Sequence, residues 1–171
     1  MHESQITYCK LIKSRFPDYF KGKRVLDVGS LDINGNNRYL FEDCAYTGID
    51  IYKGNNVDVV SLAHEYKNEP FDVIISTEML EHDRYWVLSL NNMYSLLKPN
   101  GLMLLTCAAP GRDEHGTLRT SPQDSPFTSG IDYWRNYYNP LVEDDLKLVL
   151  GEFRDSETTT TKEDLYFYGI R

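Results

Sequence analysis

Positive charge is scarce in this chain, and it is scattered. Lys and Arg number 18 against 26 Asp and Glu, for a net charge of −8. Grip on a nucleic-acid backbone needs a basic face that neutralises phosphates. No stretch supplies one, so a nucleic-acid partner is not expected. Cysteine is also scarce: Cys9, Cys44 and Cys107 make no C-x-x-C pair and no even set. A disulfide framework is therefore not expected, and buried reduced thiols in a cytoplasmic protein are. There is no basic–apolar leader and no long apolar run, so neither export nor membrane spanning is expected. Repeats and low-complexity linkers are missing too. The 171 residues read as one domain, long enough to bury about 70% of its unfolded surface.

What is present is organised around two short stretches. Arg24 to Val28 reads as a buried strand that breaks at Gly29 into a polar loop, Leu31 to Asn37, followed by a helix around Arg38 to Phe41. Tyr46 to Ile51 reads as a second buried strand with an acid, Asp50, at its tip. Strand, Gly turn, helix, strand and acidic tip make a nucleotide-binding βαβ unit. Gly29 lets the backbone approach a ligand, and Asp50 can accept hydrogen bonds from a ribose diol. A dinucleotide fold wants G-x-G-x-x-G, with the second Gly clearing the pyrophosphate. Leu31 stands there instead, which argues against an NAD-dependent dehydrogenase. Asp27, two residues before Gly29, has no use beside a pyrophosphate and suits a cationic ligand better.

Further along, Ser4 to Phe16 carries apolar residues at helical spacing and stops at Pro17. Val57 to Val60 and the β-branched run Phe71 to Ser76 read as a third and a fourth strand, the latter buried on both faces. Trp86, Leu90, Met93 and Leu97 form a helix stripe, Lys98 to Gly101 a turn, and Gly101 to Cys107 a fifth strand. Strands alternating with helices imply parallel pairing with right-handed crossovers. Residues 108 to 138 are rich in Gly, Pro, Ser, Thr and Asp. So long a loop in one domain is usually a lid or binding loop, and this one leaves the fifth strand at the ligand-binding edge. Asn139 and Pro140 open a helix expected to run to Leu150. Phe153 to Thr161 and Leu165 to Ile170 read as a closing hairpin.

Asp27-Val28-Gly29 resembles motif I of the class I S-adenosylmethionine-dependent methyltransferases. Phe71-Asp72-Val73-Ile74-Ile75-Ser76, Leu80-Glu81-His82 and Leu97-Lys98-Pro99-Asn100-Gly101 resemble, in order, the later motifs of the small ubiquinone/menaquinone-methylase-like methyltransferases. The resemblance implies a single α/β, Rossmann-like methyltransferase domain. Its sheet would be mostly parallel and seven-stranded, with an antiparallel last strand. Residues 24–109 would be the cofactor-binding core and residues 110–138 an acceptor-recognition lid. It also implies methyl transfer from S-adenosyl-L-methionine to O, N or C of a small molecule or glycan. Asp50 would take the ribose and Asp27 the methionyl amino group, with Gly29, Ser30 and Ser76 beside them. Ile51, Leu62 and Ala63 would hold the adenine, Leu62 standing where relatives usually have an acid. His115 is a general-base candidate, and Tyr133 and Arg135 are candidates for an acceptor clamp. Leu31 and Leu62 also suit a second reading, a non-catalytic S-adenosylmethionine- or nucleotide-binding module.

Glu78, Glu81 and His82 fall at i, i+3 and i+4, one face of a helical turn. Two carboxylates and an imidazole can hold a divalent ion, with His115 as a further ligand from the next loop. Many relatives without a metal have Leu-Glu-His here, bracing the helix start. That bracing role, with no metal, is the expectation.

Overall fold

The computed structural model describes residues 2–171. One seven-stranded sheet forms its centre. The strands are β1 (Arg24–Val28), β2 (Ala45–Asp50), β3 (Val59–Val60), β4 (Phe71–Thr77), β5 (Leu97–Ala108), β6 (Asp155–Thr160) and β7 (Asp164–Ile170), in the order β3-β2-β1-β4-β5-β7-β6. The pairs from β3 across to β5 are parallel, and β7 runs antiparallel to both β5 and β6. The expected α/β class, strand count and antiparallel last strand are all present.

The central strands are apolar on both faces because both faces are covered. Along β4, Ile74 packs into one core with Leu90, Met93 and Leu146. Val73 and Ile75 point the other way, into a core with Cys9, Ile12 and Tyr168. This is the period-two alternation of a pleated strand. The first core lies under α2 (Trp86–Leu96) and α3 (Glu143–Val149), the second under α1 (Glu3–Arg15). No helix among the described residues is long and apolar enough to cross a membrane.

Three expected elements differ. The helix around Arg38 to Phe41 is a single 3₁₀ turn, Arg38–Leu40. Asp32 accepts from the Gly35 amide (2.8 Å) and Asn36 Oδ1 from the Arg38 amide (3.0 Å). Side chains thus satisfy the amides that a helix would have used. The turn at Lys98 to Gly101 is absorbed into β5, with Asn100 at φ +60°. The pairing with β4 steps there from Phe71–Leu97 to Val73–Leu102. Finally, α3 begins at Glu143, because the backbone before it is committed elsewhere. The Asn139 amide donates to the Glu81 carbonyl (2.8 Å) and the Leu141 amide to the Ala108 carbonyl (2.9 Å).

From β1 the chain goes outward to β2 and β3, then returns to the other side of β1 with β4. Loops leaving the carboxyl ends of β1 and β4 therefore diverge, and open α/β sheets bind ligands at such a switch point.

Candidate active site

A cleft of about 530 Å³ opens at that switch point, a volume suited to a drug-sized ligand. One half is built from the loops after β1, β2 and β3. The amides of Gly29 and Ser30 both donate to the Ile49 carbonyl (3.0 Å each), which turns the chain away from the sheet. Gly29 has φ +78°, and a Cβ there would lie 2.4 Å from Met79 Cγ. Glycine is thus required by the turn and by the close approach of Met79 from the neighbouring loop.

Asp50 stands at the tip of β2 and lines the cleft. Its two oxygens accept from the amides of Leu31 (3.1 Å) and Ile51 (2.8 Å). Burial raises its pKa, and the two amides act against that rise. A carboxylate oxygen can accept more than one hydrogen bond, so Asp50 is held in place and keeps acceptor capacity. Asp27 is fully buried beneath the loop, accepts from the Tyr46 hydroxyl, and is pushed up to about 6 by burial. Leu31, Ile51, Leu62 and Ala63 line the same half. Ser30 lines it as well, but its polar groups are used: Oγ donates to the Asn56 carbonyl (3.1 Å) and its carbonyl accepts from Asn56 Nδ2 (2.8 Å). Ser76 does not belong to the site. It is fully buried inside the sheet and donates to the Val28 carbonyl (2.8 Å), and Thr77 lines the cleft in its place.

The other half is assembled from distant parts of the chain. Glu78 sits at φ +56° and Leu80–His82 is a 3₁₀ turn, so the expected shared helical face does not form. Glu78 turns to accept from Thr106 Oγ1 (3.1 Å) and pairs with Arg112. Arg112 also pairs with Asp164, which in turn accepts from Gln5 Nε2 (3.0 Å) and the Tyr166 hydroxyl (2.8 Å). This buried network ties α1, the start of the 110–138 segment and β7 together, and it brings His2 and Ser4 to the cleft mouth. Glu81 and His82 point away from it. Glu81 is raised by burial and then by the charge of Glu78. Burial, helped by His115 and Arg112, pulls His82 down to about 3, which keeps its ring neutral.

Residues of the 110–138 segment line the cleft, but of the three candidates there only one does. His115 lines it. Tyr133 is 57% exposed, Arg135 is exposed and paired with Asp132 (3.0 Å), and neither lines the cleft. The aromatic–Arg patch is an alternation in which only Trp134 turns inward. Trp134 is buried and donates from Nε1 to the His82 carbonyl (2.5 Å). Phe127, unnoticed in the sequence, lines the cleft and packs edge-on against Tyr52 after β2, with ring centroids 5.4 Å apart. Arg112 and Met79 were also missed. An Arg directly after the fifth strand was the available signal for the first, whereas nothing local marked the second.

Residues 1–141 match the methyltransferase-domain family. The chain belongs to that family. No curated protein matches it in sequence. Among solved structures, it is similar to the 1,6-didemethyltoxoflavin-N1-methyltransferase of Burkholderia thailandensis, crystallised with 1,6-didemethyltoxoflavin and S-adenosylhomocysteine. The TM-score is 0.67 and the identity 13%, over 99% of this chain and 78% of that one. It is also similar to phosphoethanolamine N-methyltransferase 2 of Haemonchus contortus, solved with S-adenosyl-L-methionine. There the TM-score is 0.65 and the identity 18%, over 96% of this chain. This methyltransferase domain spans about half (52%) of the Haemonchus chain. The N-methyltransferase NodS of Bradyrhizobium japonicum WM9 gives a TM-score of 0.63 and 13% identity, over 98% of this chain and 85% of that one. At such identities the likeness is one of fold. Family and fold together make the protein a class I S-adenosylmethionine-dependent methyltransferase.

Proposed function

We propose that the cleft binds S-adenosylmethionine in the half around Asp50, with the methyl directed toward a small-molecule or glycan acceptor under the 110–138 segment. The observation that carries this reading is Asp50 itself, a half-buried carboxylate at the tip of β2, fixed by two backbone amides and lining the cleft. Asp50 would accept the ribose hydroxyls. Ile51, Leu62 and Ala63 would hold the adenine by apolar contact. The bend at Gly29 leaves room for the methionyl part, with Asp27 beneath it. Bound there, the donor supplies a methyl group on a sulfonium, whose thioether leaves uncharged. The residues of this chain contribute alignment of the two reactants and exclusion of water by Phe127, Trp134 and the start of α1. The small acceptors named for the structural neighbours, 1,6-didemethyltoxoflavin among them, support the small-molecule class. Within the class we place the chain beside the small ubiquinone/menaquinone-methylase-like enzymes, on the order of its Phe71–Ser76, Leu80–His82 and Leu97–Gly101 segments. The reduced Cys9, Cys44 and Cys107 support a cytoplasmic setting. His115 belongs to the acceptor half in this reading, and Tyr133 and Arg135 leave the site.

Calorimetric titration with S-adenosylhomocysteine tests the assignment. Asp50→Ala should weaken binding by about 2 kcal/mol, the range for a hydrogen bond to a charged group. Asp50→Asn, which keeps one acceptor oxygen, should fall between. Unchanged affinity in both variants would refute the donor site.

A further inference from the structure

Among the described residues, five buried side-chain atoms have no hydrogen-bond partner. Four of them belong to Glu81 (Oε1 and Oε2), His82 (Nδ1) and Tyr138 (the hydroxyl), and the rings of His82 and Tyr138 lie 5.6 Å apart. A buried polar group left without a partner is costly, and four together mark a gap in the chain's own bonding. His115 closes the group from the lid side. Its ring lies 4.9 Å from that of His82 and 5.0 Å from that of Tyr138. One donor atom each from Glu81, His82 and His115 falls within 4.8 Å of the others.

We propose that Glu81, His82 and His115 form a three-ligand site for a borderline divalent cation such as Zn²⁺ or Co²⁺, in the acceptor half of the cleft. One carboxylate and two imidazoles suit such ions, whereas Mg²⁺ prefers oxygen ligands. The set is not the one that residue spacing suggests, because Glu78 is removed from it by Arg112 and Thr106. His115 Nδ1 lies 3.1 Å from the Asp113 carbonyl. With its proton there, Nε2 has a free lone pair, and a ligating histidine characteristically gives its other N–H to such a partner. Gly116, at φ +65°, brings the loop against His82: a Cβ there would lie 2.6 Å from His82 Cε1. Donor atoms on bonds of about 2.1 Å sit within about 4.2 Å of one another, so small side-chain rotations close the site. Both histidines line the cleft, which leaves the remaining coordination position facing the acceptor. In this proposal Glu81 and His82 ligate, where the sequence leads one to expect a bracing role.

The site needs nothing from the donor half, and the test keeps the two apart. Protein stripped with EDTA would be titrated with ZnCl₂ by calorimetry and with CoCl₂ by visible absorption. The expected result is one equivalent of each metal, with a cobalt d–d band that intensifies on binding. Glu81→Gln, close to isosteric, and His115→Ala, on a loop, should each weaken metal binding by about tenfold or more. Glu78→Gln should change it by less than about threefold, because that carboxylate is committed to Arg112 and Thr106 and touches no ligand. Circular dichroism would check that each variant folds. Absence of the cobalt band, or zinc binding in Glu81→Gln and His115→Ala as strong as in the unaltered protein, overturns the proposal. S-adenosylhomocysteine titrated in EDTA should bind in either case, so failure of the metal site is distinguishable from failure of the donor site.

Discussion

The acids in the donor half of the cleft are held by the chain itself. Asp50 is fixed by the amides of Leu31 and Ile51, and Asp27 by the Tyr46 hydroxyl. Across the cleft, Glu81, His82 and Tyr138 bring polar atoms into the interior that the chain does not satisfy. The donor half comes from neighbouring loops of one sheet edge, and its polar partners lie within about one crossover of each other. The acceptor half joins the turn before α2, the 110–138 segment and residues near 138, which meet only when the whole sheet has formed. Open polar valence is thus concentrated on one side of the pocket, four buried atoms there against Asn37 Oδ1 in the donor half. A site that must take the donor in one pose benefits from acids already held, and a site awaiting another ligand displays open valence.

Five substitutions probe that division, beginning with the most damaging. Gly29→Ala forces a side chain into the left-handed region and against Met79. The strain of the backbone and the overpacking together should cost about 3 kcal/mol in urea unfolding. An unchanged midpoint would mean that Met79 moves aside and that the donor loop is less committed than its geometry indicates.

Next is the pH dependence of stability. Asp27 is raised by burial from its ordinary 3.8 to about 6. As pH rises, the unfolded chain releases this proton first, so ionisation favours unfolding. The contribution is therefore fully present below the unfolded pKa and is lost as pH climbs through about 6, a fall of about 3 kcal/mol. Asp27→Asn should remove that fall, which urea midpoints at several pH values between about 4 and 7 would reveal. A wild-type curve flat across that interval would contradict the upward shift of Asp27.

A smaller effect is expected on the acceptor side. Trp134→Phe keeps an aromatic ring but leaves the His82 carbonyl without its indole donor. The cost should be about 1–2 kcal/mol, with faster hydrogen exchange confined to the segment from Leu118 to Tyr137. Exchange that also quickens in β1 and β2 would show the two halves to be coupled. The least effect belongs to Arg135→Ala and Tyr133→Ala. Both side chains are exposed, so stability should move by no more than about 0.5 kcal/mol and S-adenosylhomocysteine affinity should not change. A marked loss of turnover in either variant, with stability intact, would return them to the acceptor clamp that the sequence suggests.

The sheet was legible because its signals are local. A β-branched run after Pro70 locates β4, apolar runs beside Gly29 and Gly101 locate β1 and β5, and the Thr-rich hairpin locates β6 and β7. Asp50 was legible for the same reason, since an acid at the tip of the strand after a Gly turn is a pattern within one crossover. Arg38 to Phe41 was misread as a helix because hydrogen bonds accepted by Asp32 and Asn36 outweigh helix formation, and apolar spacing does not register such bonds. The start of α3 was misplaced because Asn139 and Leu141 give their amides to Glu81 and Ala108, partners far away in the chain.

The sequence by itself determined the α/β architecture, the strand that ends at Gly29, the acid at Asp50 and the resemblance to methyltransferases. Each of these rests on residue chemistry and short-range periodicity, which survive without knowledge of the fold. Only the tertiary structure decided which side chains face the cleft. It turned Trp134 inward and left Tyr133 and Arg135 outside, buried Ser76 in the sheet, drew Glu78 to Arg112, and set His115 beside Glu81 and His82. The physical reason is that orientation in a loop is fixed by competition among hydrogen bonds and packing contacts from distant segments, and one-dimensional spacing carries no record of that competition.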